Sequence, residues 1–428
     1  MRILLLTLGT RGDVQPFVAL GRGLKQNGHH VTVCTNSSFA PLVKQYDLEY
    51  AYMNDDFVEL AKGHTGRRAM EEWGSASGKV RWMVEAARLF KPIFRKTLAE
   101  EWAAARDAEL VIYHPQAVGG YHIAEALGIP GIMADPLPTW IPTGEFPNFT
   151  FPDLKLGRWF NRATYRLLPV LTAVMFGSVV KKWREEILKM APRSRFKREF
   201  VRSDGRPVPV LCAFSRHVLP PPADWPVNVH VTGYWFLNEA RGWQPPPDLA
   251  EFIEDGPAPV FVGFGSMSGS DPGKTTRMVL QALAESGQRG LLGAGWGGLE
   301  VDRLPETALK IGSVPFDWLF LRVSAVVHHG GAGTTAAGLL AGRPTVICPF
   351  VADQPFWGRR VSTLGVGPPP IPQRKLTAHN LASAIKRTVT DAGMKQRAAE
   401  LQKKILAEDG IGNAVKLVEN YAGISQTG

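Results

Sequence analysis

Short apolar runs alternate with stretches whose apolar residues recur every three or four positions, and this alternation fills both halves of the chain. In the first half, residues 3–8, 31–34, 110–113 and 129–134 read as strands buried on both faces. A helix is expected over 16–26, with Pro16 in its first turn and Gly28 just past its end. Residues 73–105 read as a longer helical region and 119–127 as a shorter helix. In the second half, 260–263, 290–293, 308–311, 325–327 and 345–348 read as strands and 276–286 as a helix. Residues 401–421 read as terminal helices with Gly410 and Gly412 between them. Repeated strand–helix pairs predict parallel sheets covered by helices. At 428 residues the chain is too long for one comfortable core. The expected class is α/β, with two Rossmann-like doubly wound domains facing across a cleft.

Two stretches break the pattern. Residues 136–207 are rich in aromatics, and prolines 136, 138, 142, 147 and 152 predict loops around short helices. Such an excursion either lines an apolar pocket or packs over the core. Residues 220–247 open on Pro220-Pro221-Pro222, close on Pro245-Pro246-Pro247, and read as a linker. The expected organisation is a first domain over 1–219, a linker over 220–248, a second domain over 249–400, and helices over 401–428 packing back toward the first domain.

Composition narrows the setting. Apolar residues make up 45% of the chain and charged residues 21%, as in an ordinary globular protein. The three cysteines match no metal spacing and predict a reducing, cytoplasmic compartment. The first residues lack the pattern of a secretory signal, and no apolar run reaches the length of a bilayer. The net charge of +10 is partly local: nine Lys and Arg stand against three Glu between 181 and 202, after an apolar and aromatic stretch over 159–180. That region is either a solvated helix face and loop or a peripheral contact with an anionic membrane, at its inner face. No nucleic-acid reading motif accompanies the charge.

Four segments lie where loops leave the carboxyl ends of strands, the crevice of such sheets. Gly9-Thr10-Arg11-Gly12-Asp13 follows the first strand. Its glycines let backbone approach a ligand. Asp13 is either a helix cap or a base toward an alcohol, acting once the oxygen has begun to bond. Gly263-Phe264-Gly265-Ser266-Met267 is either a plain turn or a phosphate contact through Ser266. His328-His329-Gly330-Gly331-Ala332-Gly333-Thr334-Thr335 links an apolar strand to a run of small residues that starts a helix, a socket for a diphosphate. His329 and Thr334 can donate there, while His328 is suited to satisfying the turn. Asp353-Gln354 can share the hydroxyls of a hexose, or cap a helix. The run from Gly331 also satisfies the G-x-G-x-x-A of a nicotinamide-binding fold, with Asp353 twenty residues past Gly333. The paired histidines and Gln354 are not required by that chemistry.

Together these segments resemble the inverting nucleotide-sugar glycosyltransferases of the GT-B fold, family 1, and within it the sterol 3-beta-glucosyltransferases and the bacterial antibiotic glycosyltransferases. The resemblance rests on residues 9–16, 314–320, 328–335 and 349–357. It implies that Asp13 is the catalytic base and that His329 stabilises the departing diphosphate. It implies donor contacts at Thr10, Gly12, Ser266, Val314, His329, Gly331, Gly333, Thr334, Asp353 and Gln354, with Val314 holding uracil through its backbone. Ser313 stands where plant relatives stack the base on tryptophan, so that contact is absent. The implied donor is UDP-glucose or another UDP- or dTDP-sugar, with no prosthetic group and no metal. The implied acceptor is a sterol or similar apolar alcohol. The alternatives are a macrolide- or polyene-type acceptor, and a non-catalytic module binding lipid or sugar nucleotide.

Overall fold

The computed structural model describes residues 1–62, 76–191, 205–264, 272–293 and 304–423. The chain divides into two compact units. The first comprises Met1–Arg216, Pro220–Leu237 and Asp409–Gly428, and the second His217–Leu219 and Asn238–Glu408.

The first unit is built on seven parallel strands, β1 (Arg2–Leu6), β2 (His30–Asn36), β3 (Glu49–Met53), β4 (Leu110–Tyr113), β5 (Gly131–Asp135), β6 (Val210–Cys212) and β7 (Val229–Val231). Their order is β3-β2-β1-β4-β5-β6-β7. β1 grows outward through β2 and β3, then the chain returns to lay β4 on the other side of β1. The order therefore reverses between β1 and β4, which pair Ile3 with Leu110 through Leu6 with Tyr113. Ile3–Leu6 and Leu110–Tyr113 are buried, as expected of strands covered on both faces. The second unit repeats the design with β8 (Val260–Gly263), β9 (Gly290–Gly293), β10 (Ala308–Ile311), β11 (Ala325–His328) and β12 (Thr345–Ile347), in the order β10-β9-β8-β11-β12. Here the order reverses between β8 and β11.

Several expectations are corrected. The first helix spans Arg11–Gln26, not 16–26, so Asp13 lies inside its first turn and Pro16 in its interior. Among its described residues, the 136–207 stretch is not a set of short helices. Its loop prolines end at Pro152, and one 29-residue helix, Arg158–Glu186, follows. That helix is long and apolar enough to cross a membrane by length and composition, although its uncharged stretch, 167–180, is bounded by Arg166 and Lys181 and stops short of that length. The stretch read as a linker contains β7, whose Val231 pairs with Cys212, so residues up to Leu237 belong to the first unit. The last helix, Gly410–Tyr421, contains Gly410 and Gly412 in its first turn, and its Ala414, Val415 and Val418 join the core of the first unit.

Candidate functional site

Ligands bind such sheets where strand order reverses, at the carboxyl ends of the strands. In the first unit that point is flanked by the loops after β1 and β4. Thr10 is the N-cap of the first helix and Asp13 its third helical residue. Asp13 Oδ2 accepts from the Thr10 backbone N–H at 2.7 Å and from Thr10 Oγ1 at 3.0 Å. A carboxylate is favoured there by the unpaired amides and positive end of the helix. The capping and catalytic readings of Asp13 are thus compatible: one oxygen caps, and the other faces away. Oδ1 lies 3.9 Å from Nε2 of His114, the first residue after β4. His114 Nδ1 accepts from the Gln116 backbone N–H at 3.2 Å, which puts the ring proton on Nε2, toward Asp13. Burial lowers the His114 pKa, and Asp13 partly opposes this, so the ring is a neutral donor.

The loop is held from behind. Gly9 has φ of +127°, and a Cβ there would lie 2.5 Å from Asp13 Oδ2, so only glycine lets the carboxylate fold back over the turn. Its N–H donates to Asn36 Oδ1 at 3.0 Å. Asn36 Nδ2 donates to the Asn54 carbonyl at 2.7 Å, and Asn54 Nδ2 to Glu100 Oε2 at 2.7 Å. The ends of β1, β2 and β3 are thereby tied to the helix Ala76–Ala104. At the end of β5, burial pushes Asp135 up to about 8 against backbone N–H bonds from Leu137, Trp140 and Thr139, and the nearby charge of Asp13 adds to the rise.

In the second unit the loop after β11 makes the corresponding turn. Gly331 is the N-cap of the helix Ala332–Leu340, which begins four residues earlier than the small-residue run suggested. Ala332, Gly333 and Thr334 therefore form the first turn, and their amides precede the first intrahelical partner, Gly331 O, which accepts from Thr335 N at 2.9 Å. His328 is buried, and its Nδ1 accepts from the Gly330 N–H at 2.9 Å, as a turn-satisfying histidine should. His329 is different. Its Nδ1 has no hydrogen-bond partner among the described residues, and burial lowers its pKa to about 4. A Cβ on Gly331 would lie 2.6 Å from His329 Nε2, so the glycine is what lets the ring lie along the turn.

Asp353 is the N-cap of the helix Gln354–Thr363, and its Oδ2 accepts from Trp357 Nε1 at 2.9 Å. Gln354 is buried rather than a surface residue, and its Oε1 accepts from Phe350 N at 2.8 Å and Val351 N at 3.2 Å. This turns its amide nitrogen toward whatever else occupies the loop. Ala352, between them, has φ of +58°, a left-handed conformation that a residue with a Cβ adopts only at a cost. Val314 is half-buried against the cluster around Phe261 and Phe320, and Ser313 before it is exposed. Thr10 and Gly12 are exposed at the first-unit loop. Ser266 lies outside the described residues.

Two family models match the chain: a glycosyltransferase family 28 N-terminal domain over residues 3–144 and an erythromycin biosynthesis protein CIII-like C-terminal domain over 297–420. A sterol 3-beta-glucosyltransferase of Arabidopsis thaliana is 38% identical over 424 residues, covering 97% of this chain and 67% of that protein. This chain belongs to the sterol 3-beta-glucosyltransferase family. A sterol 3-beta-glucosyltransferase of Aspergillus clavatus is 37% identical over 431 residues, covering 98% of this chain but 29% of its own length. The chain thus spans under a third of that fungal relative. Among solved structures, the glycosyltransferase of kitacinnamycin superposes with a TM-score of 0.72 at 19% identity, covering 98% of this chain and 99% of that one. VinC in complex with dTDP gives 0.65 at 18%, covering 99% and 100%. The fold is that of the GT-B glycosyltransferases.

Sequence reasoning missed His114, Asn36 and Asp135. His114 and Asp135 end the runs that became β4 and β5, so the strand-end rule that selected Asp13 would have selected them too. Asn36 ends β2 and so had the same strand-end signal, but its contact with Gly9 depends on β1 and β2 lying side by side.

Proposed function

We propose that this chain transfers glucose from UDP-glucose to the hydroxyl of a sterol or a similar apolar alcohol, with inversion at the sugar carbon. The observation that carries this reading is Asp13. Its carboxylate is held by the Thr10 cap at the reversal point of the first sheet, in a chain 38% identical to a sterol 3-beta-glucosyltransferase.

In this mechanism the acceptor oxygen attacks C1 of the sugar while the bond from C1 to the diphosphate oxygen breaks. The acceptor proton passes to Asp13 as the oxygen bonds. Gly9 and Asn36 hold the loop that presents the carboxylate, and the neutral ring of His114 borders its second oxygen, with Nε2 3.9 Å from Oδ1. The departing diphosphate is received by the amides of Ala332, Gly333 and Thr334 at the positive end of their helix. His329 is neutral in the empty protein and can take up a proton beside the phosphates. Ser266 adds a hydroxyl to this set. Asp353 and the amide nitrogen of Gln354 bind sugar hydroxyls, and the Val314 backbone reads the base.

The test is incubation with UDP-glucose and a 3-hydroxysterol, reading steryl glucoside by mass spectrometry and UDP release. Asp13→Asn should lower kcat by about 10²–10⁴-fold, the usual contribution of a general base, with UDP affinity unchanged. Full turnover in that variant removes Asp13 from the mechanism. Transfer from dTDP-glucose in preference to UDP-glucose, or to a macrolide but not a sterol, replaces the donor or acceptor assignment.

A further inference from the structure

The helix Arg158–Glu186 presents an anomaly for a protein surface. Only 19% of its most apolar stretch is buried within the protein. Trp159 is 82% exposed, Val174 69% and Val170 53%. Leu154 and Leu156, in the segment leading into the helix, are 54% and 63% exposed and extend the same apolar surface. At 1.5 Å per residue the 29-residue helix is about 43 Å long.

The helix is nevertheless fastened to its domain along its length. Asn161 Nδ2 donates to the Gly144 carbonyl at 2.8 Å, and Thr164 Oγ1 accepts from the Asn148 N–H at 2.9 Å. Midway, Phe176 packs on Phe94 with ring centroids 4.8 Å apart. Toward the end, buried Arg184 donates to Glu125 Oε2 at 2.7 Å. A helix tied to its domain at four points cannot enter a bilayer end-on without breaking these bonds. Its length and composition permit spanning, but its attachments restrict it to lying flat.

Charge identifies what covers the open face. Lys155, Arg166, Lys181 and Lys182 are exposed around it. Arg158 and Arg162 are exposed as well, although both pair with Asp224. The exposed acids of this segment are Asp153, Glu185 and Glu186, the last paired with Lys182. Arg166, Val170 and Val174 succeed one another at helical spacing, so cations share the apolar stripe rather than a distant rim. Lys181 continues this row one heptad past Val174, and protein–protein contacts are depleted in lysines. An anionic lipid surface accommodates them, with apolar side chains below the headgroups, cations among the phosphates and a tryptophan at the boundary.

We infer that Arg158–Glu186 and the preceding Leu154–Leu156 segment dock this chain in-plane on an anionic membrane. The inference goes beyond glycosyl transfer and does not depend on it. The experiment uses the full chain without donor or acceptor, sedimented with vesicles of phosphatidylcholine alone or mixed with phosphatidylserine. Binding is expected to the mixed vesicles and to fall as salt is raised. Val170→Asp/Val174→Asp should weaken the partition by at least about tenfold. Lys181→Glu/Lys182→Glu should do so by about tenfold or more, from the lost attraction of two cations near the surface. Val227→Asp is the control, since Val227 is 94% exposed on another segment, and should bind as the parent does. Circular dichroism and the melting midpoint verify folding. If Val170→Asp/Val174→Asp fails to fold, quenching of Trp159 by brominated lipid, read as the difference between the parent and Trp159→Phe, replaces it. The inference is overturned if the parent does not bind mixed vesicles, if the folded double variant binds undiminished, or if Trp159 is unquenched. It is also overturned if the parent is a dimer that the double variant dissolves without loss of vesicle binding, which assigns the face to a second copy.

Discussion

His329 carries the sharpest consequence at the scale of single residues. Burial holds its pKa near 4, so the ring is uncharged at neutral pH in the empty protein. A bound diphosphate favours the charged ring and raises that pKa, so binding draws in a proton at pH values between the free and bound pKa. UDP affinity should then strengthen as pH falls through this window. Calorimetry of UDP binding at about pH 6, in buffers of different ionisation enthalpy, measures the uptake. His329→Gln should show less uptake than the parent, or net release, because the helix amides favour the phosphate dianion, and equal uptake removes His329 from the phosphate site. The neighbouring residue shows how little of this is local. His328 has the same chemistry one position away, yet its Nδ1 is consumed by the Gly330 amide and its ring is sealed in the core.

At the scale of elements, boundaries mattered more than identities. Every described strand of the second unit lay where the apolar runs suggested, because the inner strands, covered on both faces, need unbroken apolar sequence and little else. The helix starts were less legible. The helix carrying Asp13 and the one carrying Gly333 both begin several residues before their apolar periodicity, in glycine-rich sequence with weak helical preference. Tertiary packing makes up for that preference, and Asp13, Gly333 and Thr334 consequently sit in first turns rather than in loops. The first helix also meets the last one closely. A Cβ on Gly23 would lie 2.3 Å from Ile411 Cγ2. Gly23→Val should therefore push the helices apart, and the overpacking should cost about 1–3 kcal/mol in urea unfolding. An unchanged midpoint would show that the last helix is not seated there.

For the whole molecule, the return of the chain is the organising event. After the second unit is complete at Glu408, the last helix supplies Ala414, Val415 and Val418 to the core around Phe17, Val18 and Leu24. His29 Nε2 lies 3.2 Å from Glu419 Oε1, and His230 Nε2 lies 2.8 Å from the Tyr421 hydroxyl, at the same seam. A chain ending at Glu408 should lose stability in the first unit alone. Differential scanning calorimetry should show one transition lowered and the other retained, and two unchanged transitions would contradict the assignment of the last helix to that core.

The amino-acid sequence by itself determined the class of fold and the number of sheets, and it singled out the loops after β1, β8, β11 and β12 as candidates for chemistry. Strand periodicity, strand-end position and glycine content are properties of a few consecutive residues. Only the tertiary structure decided that β4 lies beside β1, which sets His114 opposite Asp13 across a hundred residues of chain. Only it decided that residues 158–186 form one helix, anchored to its domain yet largely exposed along its apolar stretch, and that β7 belongs to a sheet. Each of these depends on which surfaces are removed from water, and burial is decided by residues distant in sequence.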